Sequence, residues 1–162
     1  MALVDARKAV MDFVEPLRQV WADFTGRELV LAGVERLDGK ALSLNGVVAL
    51  VSFSGRFRGR LLVNLSKSAA GRLHEAALGE PASSDEEVLL SCMELANMVG
   101  GGGLTALNDR YRGSNLRLAP PSAFAAEPVR LCNFGMNVFN VLLRDGEETI
   151  RLNLAMKEED AS

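Results

Sequence analysis

Val47 to Glu80, VVALVSFSGRFRGRLLVNLSKSAAGRLHEAALGE, decides the fold class, because its signals change from strand to turn to strand to helix within 34 residues. Val47 to Phe53 is apolar and β-branched, the composition of a pleated, half-buried surface. Ser54-Gly55 is a turn signal, and Phe57 to Leu65 is a second strand, so the two form a hairpin. Ser66 is placed to cap a helix over Lys67 to Leu78, and Gly79 to stop it. Arg56, Arg58 and Arg60 alternate with Phe57 and Gly59, which puts the three arginines on one face of the second strand. That face reads as solvated, with an anion site as the alternative.

Upstream, Leu3, Val10, Val14, Leu17 and Trp21 recur at helical spacing, so residues 3–24 read as a helix ended by Gly26. Trp21 reads as a packing anchor. Pro16 lies inside the pattern and predicts a kink or the start of a second helix, since it lacks an N–H and crowds the preceding turn. Glu28 to Leu37 reads as a strand, closed by the turn signal Asp38-Gly39. Downstream, Ser84 with Glu87 three residues on has the pattern of a capping box opening a further helix. Four glycines, Gly100 to Gly103, interrupt that helix at about 1 kcal/mol each relative to alanine. A break, a bulge and a helix held by packing are all compatible with them, and Leu104 to Tyr111 resumes the helical pattern. Arg117 to Ala119 leads into an extended Pro120-Pro121. Val129 to Leu131, Met136 to Arg144 and Thr149 to Met156 read as strands, the last two joined at Asp145-Gly146. The expected fold is α+β: a largely antiparallel sheet with long central helices packed on it. A single domain over 1–162 is expected, with an N-terminal helix in 1–26 and a frayed charged tail over 157–162.

The composition is that of an ordinary globular chain: 162 residues, 48% hydrophobic and 24% charged. A net charge of −3 gives no strong attraction for nucleic acid or an anionic membrane, so neither is expected as a partner. No apolar run reaches the roughly 18 residues of a membrane span, and MALVDARKAVMDF lacks the pattern of a signal peptide. Cys92 and Cys132 are not expected to form a disulfide, which favours a cytoplasmic setting. One histidine and no Cys-x-x-Cys spacing argue against a zinc site.

The chemistry-bearing residues lie on the helix after Ser84. On a 3.6-residue period Val88, Leu89, Cys92, Leu95, Ala96 and Val99 form a buried stripe, while Glu94, Asn97 and Gly101 point away from it. Glu94 and Asn97 are neighbours on one face, flanked by Leu90 and Met98 where a solvated face would carry charge. A carboxylate and an amide framed by apolar residues suggest a docking surface; a plain amphipathic helix is the alternative. His74 reads as a surface or boundary residue, and Ser91-Cys92 has no local base for nucleophilic work. The glycine run lacks the Lys-Ser/Thr end of a phosphate-cradling loop.

Glu94-x2-Asn97, followed after 22 residues by Pro120, resembles the signature of the CheX/CheC/FliY chemotaxis phosphatases, Asp/Ser-x3-Glu-x2-Asn-x22-Pro. The words ELANM and the small residues after them are most similar to the CheX branch. Residues 47–80 and 135–156 resemble the family's paired strands and helix and its last strand pair. Leu90 stands where the pattern has Asp or Ser, with Ser91 one step along. The resemblance implies a phosphatase for the aspartyl phosphate of a CheY-like receiver domain, with a non-catalytic receiver-binding adaptor as the alternative. It implies that Asn97 orients the attacking water, that Glu94 pairs with a receiver lysine, and that Leu90, Met98 and Gly101 lie in the contact. The resemblance also implies that Pro120 shapes the chain beside the helix. It implies no cofactor on this chain, Mg²⁺ on the receiver, and a homodimer formed by continuing the sheet.

Overall fold

The computed structural model describes residues 3–37 and 39–160. The elements run α1 (Leu3–Thr25), β1 (Val30–Arg36), β2 (Leu42–Ser54), β3 (Phe57–Leu65), α2 (Lys67–Leu78), α3 (Asp85–Arg110), β4 (Arg117–Leu118), β5 (Ser122–Leu131), β6 (Asn137–Asp145) and β7 (Glu148–Glu158). The strands form one sheet in the order β1-β6-β7-β3-β2, and both β4 and β5 pair with the other edge of β2. Every pairing is antiparallel. The α+β expectation holds, and the predicted hairpin forms with Val47 opposite Leu65 and Phe53 opposite Gly59.

Alternation along the strands divides the apolar side chains between two faces. Val51, Leu61, Val63, Leu152 and Leu154 join Phe13, Leu17 and Trp21 of α1 and Cys92, Leu95, Val99 and Leu107 of α3 in the main core. A smaller cluster of Leu44, Val48, Leu62, Val138 and Ala155 occupies the opposite face of the sheet. Trp21 is the packing anchor expected of it, and its Nε1 also donates to Asp145 Oδ2 at 3.1 Å. That carboxylate pairs with Arg27 as well, so it fastens the end of α1 to the end of β6.

Several expectations need correction. Of the two outcomes open at Pro16, the start of a second helix does not occur: α1 continues through it as one helix. The tail does not fray at 157. Lys157 and Glu158 pair with Arg58 and Phe57, the Glu159 N–H donates to Arg56 O, and Arg56 and Arg58 hold Glu158 and Glu159 in ion pairs of 2.8 Å. The last two residues and Asp38, half of the predicted turn, lie outside the described residues. The expectation of three arginines on one face fails at Arg56: it precedes β3, and its guanidinium lies over the Phe57 and Tyr111 rings on the helix side. Arg58 and Arg60 do share the opposite face, yet that face is not uniformly solvated. Arg60 is half-buried, and its Nη2 donates to Asn153 Oδ1 at 2.8 Å. One helix among the described residues, α3, has the length and apolar composition of a membrane span. Its buried residues pack in the main core against α1, α2 and the sheet.

Candidate functional site

Helix α3 starts where the sequence placed it. Ser84 is extended at φ −152°, and its hydroxyl accepts from the Glu87 N–H. The capping box is shifted by one residue, because the Glu87 carboxylate takes the N–H and hydroxyl of Ser83 instead of the Ser84 N–H. These bonds, the backbone donor first, hold the Glu87 carboxyl below its ordinary value. Three acidic residues in the first turn and Arg110 in the last complement the helix dipole.

Glu94 is exposed and Asn97 is half-exposed, and neither side chain has a hydrogen-bond or ion-pair partner among the described residues. Leu90 is 55% and Met98 40% exposed. With Gly101 these residues fall at i, i+4, i+7, i+8 and i+11, one continuous strip along the outer side of α3. Cys92, Leu95, Ala96 and Val99 are buried on the other side, and Val88 and Leu89 are half-buried at its margin. Burial pushes the Cys92 thiol up to about 12, so it stays protonated.

The four glycines do not break the helix; three of them face neighbours that leave no room for a side chain. A Cβ at Gly103 would lie 2.2 Å from Phe13 Cδ1, and one at Gly102 2.8 Å from Pro16 Cβ and Cγ. At Gly100 it would meet Val51 Cγ1 at 2.9 Å and Leu118 Cδ2 at 3.2 Å. Gly101 alone of the four has open space around it. Close packing of α1, β2 and β4 on Gly100, Gly102 and Gly103 therefore holds the helix together despite its poor intrinsic propensity. Pro120 is not on the strip. It is exposed between β4 and β5, two residues after the Leu118 that packs on Gly100. Lacking an N–H, it can contribute no donor to a ladder there.

His74 was missed. It is only 2% exposed, and its Nδ1 shares a 2.7 Å hydrogen bond with Ser91 Oγ. Nε2 stands 3.9 Å from Glu87 Oε2. Ser91 thus has a neighbouring base after all, contributed by α2. The signal was readable only as a faint one: Leu73 and His74 adjoin the buried Ala69-Ala70 face of α2. The trio borders a cleft of about 370 Å³ between α2 and α3, walled by Phe24, Leu73, Leu78 and Leu90 and reaching Glu94. Ser91 sits in mid-helix, where the backbone N–H groups are committed to the helix ladder. Those N–H groups can supply no oxyanion hole beside its hydroxyl, so the trio is better suited to joining α2 and α3 than to acyl transfer. Among the described residues no group of three or more His, Cys, Asp or Glu side chains is placed to hold a metal ion.

Residues 47–141 match the family model described as chemotaxis phosphatase CheX. No curated protein matches the chain in sequence. Solved structures do match its fold. A chemotaxis protein CheX from Desulfovibrio desulfuricans is 17% identical, with a TM-score of 0.83 over 93% of this chain and 99% of that one. A CheC-like superfamily protein from a Shewanella species is 20% identical, with a TM-score of 0.82 over 97% and 99%. CheX in a CheX-CheY-BeF3-Mg²⁺ complex from Borrelia burgdorferi is 20% identical, with a TM-score of 0.77 over 92% and 97%. The family match spans the hairpin, both central helices, the Glu94–Asn97 strip and Pro120, and with it the chain belongs to the CheX family of chemotaxis phosphatases.

Proposed function

We propose that this chain hydrolyses the aspartyl phosphate of a CheY-like response regulator, with Glu94 and Asn97 entering the regulator's site. The observation that carries this reading is the outer strip of α3, where a carboxylate and an amide one turn apart are accessible, unpartnered and bordered by exposed Leu90 and Met98. An acyl phosphate already has a good leaving group, so the helper needs no nucleophile of its own. It needs a positioned water and compensated charge. Asn97 supplies an amide that orients water in line with the scissile bond. Glu94 supplies a carboxylate for a lysine of the receiver, a charge-assisted contact that fixes register. Leu90, Met98 and the bare backbone at Gly101 complete the contact, and Pro120 shapes the chain that supports Gly100. Mg²⁺ comes with the receiver, in keeping with the Borrelia burgdorferi complex that contains CheY and Mg²⁺ beside CheX.

The free sheet edges support a homodimer. Edge strand β1 exposes Val30, Leu31 and Val34, and β5 exposes Phe124 and Val129. Light scattering is expected to give about twice the 17.4 kDa chain mass. A cytoplasmic setting suits both the receiver partner and the two free cysteines.

Leu90 favours one other reading, a receiver-binding adaptor without hydrolysis, because an exposed apolar side chain stands where the family pattern has Asp or Ser. Phosphate release from a panel of phosphorylated receivers separates the two. The phosphatase accelerates release from at least one, and Asn97→Ala removes most of the acceleration while binding persists. Binding without acceleration, and no change on Asn97→Ala, would establish the adaptor.

A further inference from the structure

We propose that the face of the sheet opposite the helices carries a phosphate-binding site centred on Arg60. A depression of about 470 Å³ there is lined by Ser52, Ser54, Arg58, Arg60, Asn133 and Met136. The strand pattern explains the convergence. Ser52 stands opposite Arg60 in the β2–β3 register, and Ser54 and Arg58 are two residues farther along their strands on the same face. Asn133 and Met136 reach the site from the segment between β5 and β6.

Arg60 is the unusual member. Its only side-chain partner among the described residues is the neutral Asn153 amide, and its Nε is buried with no partner. Burial lowers it to about 10, which still leaves the guanidinium charged at neutral pH. A half-buried cation with no carboxylate beside it is costly, and an anion delivered to its free N–H groups relieves that cost. The other charges on this face are unequal in sign. Arg58 is already held by Glu159 at 2.8 Å, and Lys157 stands opposite Arg58 in register. Glu35 is three strands away, about 14 Å at the usual strand spacing, bonded to Asn140. Two hydroxyls, an amide and a guanidinium fork surround a tetrahedral oxyanion better than a planar carboxylate. The volume exceeds that of one phosphate group and leaves room for a small ester.

Titration calorimetry of the full chain with inorganic phosphate, adenosine monophosphate and succinate tests the site. Both phosphates are expected to bind and succinate not to. Tighter binding of the monophosphate identifies an ester as the ligand, and equal binding identifies free phosphate. Arg60→Met should weaken binding at least ~10-fold, and Ser52→Ala severalfold, with unchanged far-UV circular dichroism. Should Arg60→Met fail to fold, Ser52→Ala and Asn133→Ala decide. The proposal is overturned by the absence of phosphate binding, by succinate binding as tightly as phosphate, or by unchanged affinity in the variants that fold.

Discussion

Residues 85–99 of α3 meet the molecule through their side chains, whereas Gly100, Gly102 and Gly103 of the same helix meet it through having none. In the first half a regular period divides Cys92, Leu95, Ala96 and Val99 from Glu94, Asn97 and Met98. In the second half the core-facing positions are occupied by parts of other elements: Phe13 over Gly103, Pro16 over Gly102, and Val51 with Leu118 over Gly100. The strip that faces outward crosses both halves without a step, ending at the open backbone of Gly101. One helix thus separates the two tasks along its length. The first part carries the polar groups, and the second is packed closely against α1, β2 and β4.

The strongest way to break this comparison is to put a side chain where the second half has none. Gly103→Ala places a methyl group against a fully buried ring that also stacks on Phe53. We expect a loss of about 3 kcal/mol in urea unfolding, overpacking at the upper end of its usual range even after the gain in helix propensity. An unchanged midpoint would show that the packing there is loose.

Asn97→Ala acts on the first half and should do the reverse. Stability should hold, because the amide has no internal partner, while receiver dephosphorylation should fall ~10²-fold, equivalent to about 2.7 kcal/mol of barrier. A variant that lost stability instead would place Asn97 in the fold and not in the contact.

Cys92 tests how tightly the first half seals its buried stripe. Its thiol is raised to about 12 when folded, above its ordinary 9.0. Above that ordinary value the unfolded chain releases a proton that the folded chain keeps, so stability is full below it and falls as pH rises toward 12. At about pH 10 the loss should be ~1.4 kcal/mol, and it should be absent from Cys92→Ala. Equal pH profiles for the two proteins would mean that solvent reaches the stripe.

Gly101→Ala is the mildest and sharpens the comparison most. The added methyl group meets nothing, so helix propensity alone should raise stability by ~1 kcal/mol. The same methyl group stands on the outer strip, so weaker receiver binding in a more stable protein is the expected signature of a contact position.

The first half of α3 was legible because its information is local. Ser84 and the 3.6-residue repeat that sorts Cys92 from Glu94 need only near neighbours in the chain. The same holds for Ser66, Gly79 and the Phe57–Leu65 strand, which form where they were placed. Hydrogen-bond partners were less legible even at close range, as the shift of Glu87 from Ser84 to Ser83 shows.

The sequence by itself determined the α+β class, the bounds of β3 and α2, and the face on which Glu94 and Asn97 stand. Their side chains obey periods of two and 3.6 that no distant residue has to supply. β2, by contrast, runs from Leu42, five residues before the expected start at Val47. Only the tertiary structure decided that α3 runs unbroken through four glycines, that His74 is buried against Ser91, that Arg60 is half-buried beside Asn153, and that Lys157 and Glu158 pair instead of fraying. Each of these depends on a partner far away in sequence: Phe13 for Gly103, α3 for His74, Asn153 for Arg60, and β3 for the tail. Propensity measures the cost of a glycine helix or a half-buried cation, and packing from distant elements decides whether that cost is met.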